Sequence, residues 1–389
     1  MSESKKLIPR RRFHSFIYSD DWSLTRLENL GNFNPSSILP NQFEYVDLES
    51  VVGNQMVSHR TVDRKQAPSR AQRLAKKGDI FYQTVRPYQQ NNYFFNLLEE
   101  NYVFSTGYAQ IRPFGDGYFL FTKLQERKFL LEVLDNCIGT SFPAINSTAL
   151  AKIRVFTPLN IEEQYNIGNF FQKLDNLINT QQKKLEKAKT LKSAYLTEMF
   201  PNEGELKPRL RFNSFINAWH IKDINDLANR YDNFRIPITA SNRKIGLTPY
   251  YGANGIQDYV QGFTHDGEYI LIAEDGANDF KNYPVQYVKG KIWVNNHAHV
   301  LQGKIGICDN KFLMNAFKNI NIEPYLVGGS RAKLNSDTMM NISLKVPNQQ
   351  EQTKIGNFFK LLDDKIALEQ KKLDKLKNIK QAYLNEMFV

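Results

Sequence analysis

The sequence contains few cysteines and no long apolar run, and each absence excludes a class of protein. Cys137 and Cys308 are the only cysteines in 389 residues, and their spacing matches no metal site or redox motif. No stretch approaches the roughly 18 consecutive apolar residues that a membrane-spanning helix needs. The start, "MSESKKLIPRRRF", is basic but is not followed by the apolar segment of a signal peptide. We therefore expect a reduced, cytoplasmic protein that is neither exported nor inserted in a membrane.

The sequence also lacks the motifs of a self-contained enzyme. The stretches "VKGKI" and "QGKIG" lack the upstream Gly and the following Ser or Thr of a phosphate-binding loop, and there is no nucleophile elbow. Asp79, Glu126 and Lys128 only loosely resemble an acidic nuclease site, because Glu126 lies in the helical surface pattern "LQERKFL". His297 and His299 share one face of a predicted strand, but no third metal ligand lies at a recognisable spacing. We expect surface or DNA-facing histidines instead.

The size and charge of the chain indicate two domains and a polyanionic partner. Its 389 residues exceed one ordinary core, and apolar residues make up 41% of the chain, enough to fold two domains. Lys and Arg outnumber Asp and Glu by 51 to 40, which gives a net charge of +11. This excess favours nucleic acid as a partner, although solubility alone also produces basic proteins.

The two halves of the chain repeat each other. Residues 163–200 align without a gap with residues 351–388, and 23 of the 38 positions are identical. Upstream, residues 139–158 align with 328–347, and "PRRRFHSF" near the start of the first half answers "PRLRFNSF" near the start of the second. Each half is a variable globular part followed by a nearly invariant tail. The duplication predicts two similar units related by pseudo-twofold symmetry.

The two tails have the periodicity of long helices. Their apolar residues recur at alternating steps of four and three, and Pro201 ends the first tail. Neither helix can bury its stripe of apolar residues alone, so we predict that the two helices pair as an antiparallel coiled coil. The alternative is that each helix packs on its own domain. Gln181 and Glu369 are polar positions within the stripes that would fix the register. The residues predicted to pair are Ile167, Phe171, Leu174, Ile178, Leu185, Ile355, Phe359, Leu362, Ile366 and Leu373.

The globular parts, residues 14–158 and 213–347, have the composition of an α+β fold. Short runs of Tyr, Phe, Ile and Val alternate with Gly, Asn and Asp turns, which is typical of mixed or antiparallel strands. Loops between these runs carry side chains suited to phosphates, base edges and stacking, although any single one is more often a solvated loop residue. The residues predicted to face DNA are Arg60, Arg64, Lys65, Arg70, Arg73, Arg86, Tyr88, Gln89, Gln90, Ser241, Asn242, Arg243, Lys244, Tyr250, Tyr251, Asn254, Arg331 and Lys333.

Three motifs carry a resemblance to a known family. They are the duplicated pattern "EQ…IGNFF..LD..I…QKKL.K.K..K.AYL.EMF", the turns "GTSFPAIN" and "GGSRAKLN", and the stretch "PYYGANGIQDYV…DGEYILIAEDG" at 249–276. With these motifs the chain resembles the DNA-specificity subunits of type I restriction-modification enzymes. The resemblance covers essentially the whole chain.

The resemblance implies an organisation and a set of partners. Residues 1–158 and 204–347 would be target recognition domains that each read half of a split double-stranded DNA site. Residues 159–203 and 348–389 would be helical spacers that set the gap and dock two methyltransferase subunits. Restriction subunits would join them in a bacterial or archaeal cytoplasm.

The resemblance also implies that this chain is not an enzyme and binds no cofactor or metal. S-adenosylmethionine, ATP and Mg would belong to the partner subunits. Two alternatives are a stand-alone DNA methyltransferase or nuclease that uses the same domains, and a coiled-coil adaptor without a DNA role.

Overall fold

Contacts between residues divide the chain into two units. The computed structural model describes residues 8–329 and 332–389. Unit 1 is built from Met1–Gln182 and Lys372–Val389, and unit 2 from Lys183–Lys371. Each unit therefore holds one globular part and a segment of both tails. The boundaries of the recognition domains and spacers, at residues 158, 203 and 347, stay predictions.

The globular part of unit 1 is a mixture of short strands and short helices. Among its described residues, the helices are α1 (Gly117–Lys123), α2 (Arg127–Asp135) and α3 (Ser147–Lys152). The strands are β1 (Ser23–Arg26), β2 (Gly31–Phe33), β3 (Gln42–Val46), β4 (Val51–Val52), β5 (Gln55–Met56), β6 (Arg60–Asp63), β7 (Ala71–Leu74), β8 (Ile80–Gln83), β9 (Tyr93–Phe94), β10 (Tyr102–Ser105), β11 (Tyr108–Pro113) and β12 (Arg154–Thr157).

Two four-stranded sheets form the core of unit 1. Their strand orders are β6-β3-β10-β7 and β2-β11-β8-β9, while β1 pairs with β12 and β4 with β5. Strands β3 and β10 are parallel, and the other pairs within these sheets are antiparallel. Phe81 of β8 stacks on Phe104 of β10 with 3.6 Å between ring centroids, so aromatic side chains join the two sheets.

Unit 2 is built around one larger sheet. Its described helices in the globular part are α5 (Ile224–Leu227), α6 (Asn310–Lys318) and α7 (Ser336–Met340). Its strands are β13 (His220–Asp223), β14 (Ala228–Arg230), β15 (Ile245–Gly252), β16 (Gly255–Val260), β17 (His265–Ala273), β18 (Val285–Val294), β19 (Ala298–Gly303), β20 (Leu326–Val327), β21 (Lys333–Leu334) and β22 (Ser343–Val346).

The central sheet of unit 2 has the order β14-β19-β17-β18-β15-β16. Strand β17 is apolar along most of its length because both of its faces are covered. Ile270 and Ile272 belong to a core shared with α6, and Leu271 to a separate core on the other face. The predicted α+β class is confirmed in both globular parts.

One strand pair shows that the sequence alignment of the halves is also a structural one. In unit 1, Ser23 of β1 lies opposite Thr157 of β12. In unit 2, His220 of β13 lies opposite Val346 of β22, at the positions that the alignment assigns to Ser23 and Thr157. The divergent globular parts therefore keep the same strand pair where they join the tails.

The two tails are the long helices that the periodicity predicts, α4 (Ile161–Glu198) and α8 (Gln349–Met387). Each begins after an asparagine whose side chain caps the first turn. The Asn160 carboxamide oxygen accepts from the Glu162 amide at 2.8 Å, and the Asn348 oxygen accepts from the Glu351 amide at 3.0 Å. These caps satisfy backbone donors that a helix start leaves free.

Within unit 1, the early part of α4 packs against the late part of α8. Phe170 and Tyr383 meet edge to face with 4.8 Å between centroids, and Lys380 Nζ lies 2.7 Å from Asp175 Oδ1. As residue numbers rise along α4 they fall along α8, so the segments are antiparallel. Phe171 joins them to a core that includes Trp22 and Phe388.

Within unit 2, the matching residues make the same contacts with the helices exchanged. Tyr195 and Phe358 meet edge to face at 5.0 Å, and Lys192 Nζ lies 2.5 Å from Asp363 Oδ1. The predicted antiparallel pairing is thus present in each unit. Of the residues predicted to pair, seven are buried and three are half-buried: Ile178, Leu362 and Ile366. The polar Gln181 is buried and Glu369 is half-buried.

A duplicated salt bridge ties the start of each half to its long helix. Arg12 donates through Nε and Nη2 to both carboxylate oxygens of Glu163, at 2.6 and 2.7 Å. Arg211 makes the same two bonds to Glu351, both at 2.7 Å. Both glutamate side chains are fully buried, so each needs its arginine to offset the loss of water. The hydrogen bond to Glu163 raises the pKa of Arg12, although burial opposes it.

A duplicated glycine lets each long helix approach a short helix closely. A Cβ atom on Gly168 would lie 2.0 Å from Asp116 Oδ1 and 2.8 Å from the Phe119 nitrogen. Asp116 caps α1, its carboxylate accepting from the Phe119 amide at 2.7 Å. In unit 2, a Cβ on Gly356 would lie 2.6 Å from Oδ1 of Asp309, the cap of α6. Glycine is therefore required at both positions because a Cβ atom would not fit, and not because of the backbone conformation.

Candidate nucleic-acid interface

The loop after β8 carries four of the predicted DNA-facing residues in a strained backbone. Arg86 and Gln90 have φ of +54° and +53°, left-handed values that are unfavourable for residues with a side chain. Between them, residues 87–89 form a short 3₁₀ turn on which Tyr88 is 51% exposed. The Arg86 guanidinium lies over the ring of Phe142, 4.6 Å from its centroid.

Two residues that the sequence did not single out hold this loop in place. The buried Gln83 donates through Nε2 to Gln89 Oε1 at 2.8 Å and accepts from the Asn91 amide at 3.1 Å. The buried Asn92 accepts from the Gln83 amide at 2.8 Å. Strain that is held by buried hydrogen bonds is typical of functional loops. Only the glutamine and asparagine content of "QTVRPYQQNN" hinted at this support.

The other predicted contacts of unit 1 lie on or beside β6 and β7. Arg60 is exposed and lies over the ring of Tyr45 at 5.1 Å, with Asp47 Oδ2 at 3.5 Å. Arg64 donates to the Leu39 carbonyl at 3.3 Å. Lys65 and Arg70 are exposed, whereas Arg73 is half-buried on β7, and its burial lowers its pKa.

In unit 2, Arg243 is held by three partners. Its guanidinium lies 4.3 Å from the ring centroid of Tyr250, donates to the Ile238 carbonyl at 3.3 Å and lies 3.4 Å from Asp258 Oδ2. Tyr250 is 1% exposed, and its hydroxyl bonds both the amide and the carbonyl of Ile238. The structure thus places Tyr250 beneath Arg243, as a support for it.

The remaining predicted residues of unit 2 lie around the β15-β16 hairpin. Ser241, Asn242 and Lys244 are exposed. Tyr251 is half-buried, and burial raises its pKa. Asn254, at the hairpin turn, donates to the Gly276 carbonyl at 2.9 Å and accepts from the Asn278 amide at 3.0 Å, so it ties the turn to the loop after β17. Arg331 lies outside the described residues.

Lys333 belongs to a charged network that the sequence did not predict. Its Nζ lies 2.8 Å from Glu274 Oε1, and Arg235 donates to Glu274 Oε2 at 2.6 Å. His299 Nδ1 lies 3.6 Å from Glu274 Oε2, and Asp232, Glu274 and His299 together line a cavity of about 610 Å³. The hydrogen bond and charge of Glu274 raise the pKa of Lys333. Nothing in the spacing of these residues along the chain indicated that the fold would bring them together.

The network also corrects one histidine prediction. His299 is 1% exposed, with Nδ1 2.7 Å from Asp232 Oδ2 and Nε2 2.8 Å from the Leu334 carbonyl, so its expected surface position was wrong. The ring is buried because both faces of β19 are covered: Ala298 and Val300, which point to the opposite face, are buried as well. His297 is half-buried and bonds Asp275 at 2.5 Å.

Asp232, Glu274 and His299 are close enough to hold a cation, but their charges are already matched. Burial alone would raise the pKa of Asp232, yet the hydrogen bond from His299, that from the Val300 amide and the charge of Arg235 together lower it. Burial would likewise raise the pKa of Glu274, and hydrogen bonds from Lys333 and Arg235 lower it instead. We interpret the group as an ion-pair network.

The acidic residues considered as a nuclease site serve other purposes. Asp79 is buried and accepts from Arg112 Nε and Nη2, both at 2.8 Å, and from Gln110 Nε2 at 2.6 Å. Glu126 is buried, contrary to the surface position expected, because it pairs with buried Lys123 at 2.7 Å.

Among the described residues, no helix combines the length and apolarity that crossing a bilayer requires.

The fold resembles that of a solved type I restriction-modification S subunit from M. genitalium. The TM-score is 0.70 and the identity 17%, and the match covers 98% of this chain and 99% of that chain. A chain from a structural study of type I complex assembly matches with a TM-score of 0.52, 18% identity, and coverage of 94% and 97%. At these identities the likeness shows the fold alone.

Sequence relatives cover parts of the chain. A Haemophilus influenzae protein named as a type I restriction enzyme specificity subunit is 45% identical over 147 residues, which are 38% of this chain and 37% of the relative. The EcoprrI specificity subunit of Escherichia coli is 32% identical over 111 residues, 28% of this chain and 26% of the relative. The alignments thus span less than two fifths of the length of either curated relative. The family model described as "Type I restriction modification DNA specificity domain" matches residues 72–190 and 217–378, well over half of the chain. The chain therefore belongs to the family of type I restriction-modification DNA specificity domains.

Proposed function

We propose that this chain is the DNA-binding specificity subunit of a type I restriction-modification complex and that it performs no catalysis itself. The observation that carries the proposal is that the family model matches once in each half of a duplicated chain. Two recognition domains in one chain suit a DNA site that consists of two parts. The net charge of +11 suits a polyanionic partner.

Each globular part reads one half-site. In unit 1 the reading surface includes the strained loop with Arg86, Tyr88 and Gln90. In unit 2 it includes Arg243 and the β15-β16 hairpin. Side chains held by buried partners keep their geometry when they meet DNA, and this lowers the entropy lost on binding. The exposed residues predicted from the sequence remain the candidates for phosphate and base contacts.

The long helices set the gap between the half-sites and dock the methyltransferase subunits, and this shared role accounts for the likeness of the two tails. Two such subunits carry S-adenosylmethionine, and restriction subunits carry ATP and Mg. A non-catalytic role for this chain agrees with the names of its relatives.

The spacer role is tested by lengthening both helices. Seven residues inserted between Gln182 and Lys183 and between Lys371 and Lys372 add roughly 10.5 Å of helix. Because duplex DNA rises about 3.4 Å per base pair, the optimal gap should increase by at most about three base pairs. Methylation by the assembled complex on DNAs of graded gap measures this optimum. The same seven residues inserted after Gly204 serve as the control, and an optimum that stays in place for both proteins contradicts the spacer role.

The reading role is tested by exchange and by substitution. Replacing residues 14–158 with another recognition domain should change one half-site only. Loss of recognition at both half-sites would contradict the proposal that each domain reads its own half-site.

Arg86→Ala and Arg243→Ala should weaken DNA binding. If either arginine contacts a phosphate, the slope of log K against log salt should fall by about one. Lys152→Ala, an exposed substitution on α3, is the matched control. Equal DNA binding by all three variants would remove these two arginines from the interface.

A further inference from the structure

Unit 1 contains a cavity of about 650 Å³ that the proposed DNA-reading role does not use. It lies between the described start of the chain, α2, β12 and the end of α8. Its apolar wall is formed by Phe129, Val155, Phe156, Leu384 and Phe388. The size suits several residues of a peptide.

The floor of the cavity is a buried ion pair. Lys123 and Glu126 have side chains that are 4% and 7% exposed, and Lys123 Nζ lies 2.7 Å from Glu126 Oε1. The ammonium group also lies 5.3 Å from the ring centroid of Phe388 and 5.9 Å from that of Trp22. A buried pair of this kind fixes the shape of the floor and leaves it polar at one point.

The rim of the cavity is basic. Arg10, Arg127, Lys128 and Arg154 line it and are exposed. Within the part of the chain that the structure describes, none of these four forms an ion pair. Glu132 is the one acidic side chain of the rim, so four cationic groups face one carboxylate. A ligand with negative charge is therefore favoured.

The other half of the chain shows what occupies the matching position in unit 2. Phe200 corresponds to Phe388 and Lys345 of β22 to Phe156 of β12. After Phe200 the chain continues through the buried Pro201, and the Asn202 carbonyl accepts from Lys345 Nζ. In unit 2 the surface of the β13-β22 pair is thus covered by polypeptide.

The covering segment in unit 2 is short and acidic, and it contains a tight turn at residues 203–204. It has the sequence "PNEGEL" at residues 201–206. The Glu205 amide donates to the Asn202 carbonyl at 3.1 Å, and the Leu206 carbonyl accepts from the Trp219 amide at 2.8 Å. Trp219 is the counterpart of Trp22, which lies beside the floor of the cavity in unit 1.

We propose that the cavity of unit 1 is a docking site for a short acidic peptide segment of a partner protein. The rim provides the charge complement, the apolar wall takes a hydrophobic residue of the segment, and unit 2 holds a polypeptide of this kind at the matching position. A peptide fits this combination better than DNA, because a phosphate backbone has no group to place against the five apolar wall residues. The proposal does not depend on the DNA-reading role.

The test uses the full chain and a fluorescein-labelled peptide of sequence PNEGEL, with the neutral peptide PNQGQL as its match. The acidic peptide should bind more tightly at low salt, by about threefold for each carboxylate, which is the size expected for exposed ion pairs. Arg154→Gln, and separately Arg127→Gln with Lys128→Gln, should remove most of that preference. Lys152→Gln, exposed nearby but not lining the cavity, should retain it. Thermal melting of each variant shows whether it is folded.

Three results would overturn the proposal. The first is equal affinity for the acidic and neutral peptides. The second is that the rim substitutions weaken binding of a short DNA duplex but leave the preference for the acidic over the neutral peptide unchanged. That result would assign the rim to nucleic acid. The third is a monomer-dimer equilibrium, measured by sedimentation, that only the rim substitutions abolish. That result would assign the cavity to a second copy of this chain.

Discussion

Replacing Gly168 with alanine should destabilise unit 1, although the same change stabilises most helices. Glycine inside a helix is about 1 kcal/mol less favourable than alanine, so the substitution alone would gain about that amount. Here the new Cβ would lie 2.0 Å from the carboxylate of Asp116. That carboxylate must move, and α1 loses its cap, which costs about 1 kcal/mol.

The nearby backbone makes the cost larger. The Phe119 nitrogen would lie 2.8 Å from the new Cβ, and backbone moves less readily than a side chain. Overpacking of this kind costs about 1–3 kcal/mol. The three contributions leave a net destabilisation of about 1–3 kcal/mol. Gly356→Ala in unit 2 should have the same sign and a smaller size, because Asp309 would lie 2.6 Å away rather than 2.0 Å.

Hydrogen exchange of backbone amides can locate this effect. Amides of α1 should exchange roughly 5- to 150-fold faster in Gly168→Ala, since about 1.4 kcal/mol corresponds to tenfold, while those of α6 stay protected. Gly356→Ala should show the reverse. Asn176→Ala on the same helix is exposed and serves as the control, with protection unchanged or slightly increased. Undiminished protection of α1 in Gly168→Ala would refute the close approach of α4 to the α1 cap.

Three further predictions concern buried charge and strain. Glu163→Gln and Glu351→Gln should each cost about 3–5 kcal/mol in urea unfolding, because each leaves a largely buried arginine without its carboxylate; a cost below 1 kcal/mol would contradict this. The pKa values of Asp232 and Glu274 lie below the ordinary carboxyl range, so the folded chain binds fewer protons than the unfolded one. Their stabilisation should be complete only above about pH 5, about a unit above the ordinary carboxyl values, and it should be lost as the pH falls through the lowered values. Urea midpoints at pH 3 and pH 6 measure this loss, and the difference between them should be smaller in Asp232→Asn. Gln90→Gly should stabilise unit 1 by about 1 kcal/mol by relieving its left-handed backbone, and a loss of stability would show that its side chain contributes more than the strain costs.

The features that the sequence predicted well are those that repeat or follow a period. The long helices, their antiparallel pairing and the equivalence of the halves all follow from spacing along the chain. The buried network around Glu274 and His299 did not, because its members come from loops and strands that only the folded sheet brings together. His299 was misplaced for the same reason, since alternation along β19 shows which residues share a face but does not show that both faces are covered.

The identity between the two tails is explained by the way their residues are used. Phe170 and Tyr383 pair in unit 1, and their counterparts Phe358 and Tyr195 pair in unit 2. Each copy of the tail therefore supplies both sides of the same interface, its early part in one unit and its late part in the other. A change at such a position alters one contact in one unit, and it can be matched only by a change in the other copy. Some exposed positions lack this restraint and differ, as Lys173 and Leu361 do, whereas the exposed Lys183 and Lys371 are identical. Reciprocal contact thus explains the identity of the residues that pair, and the identity of exposed lysines has another cause.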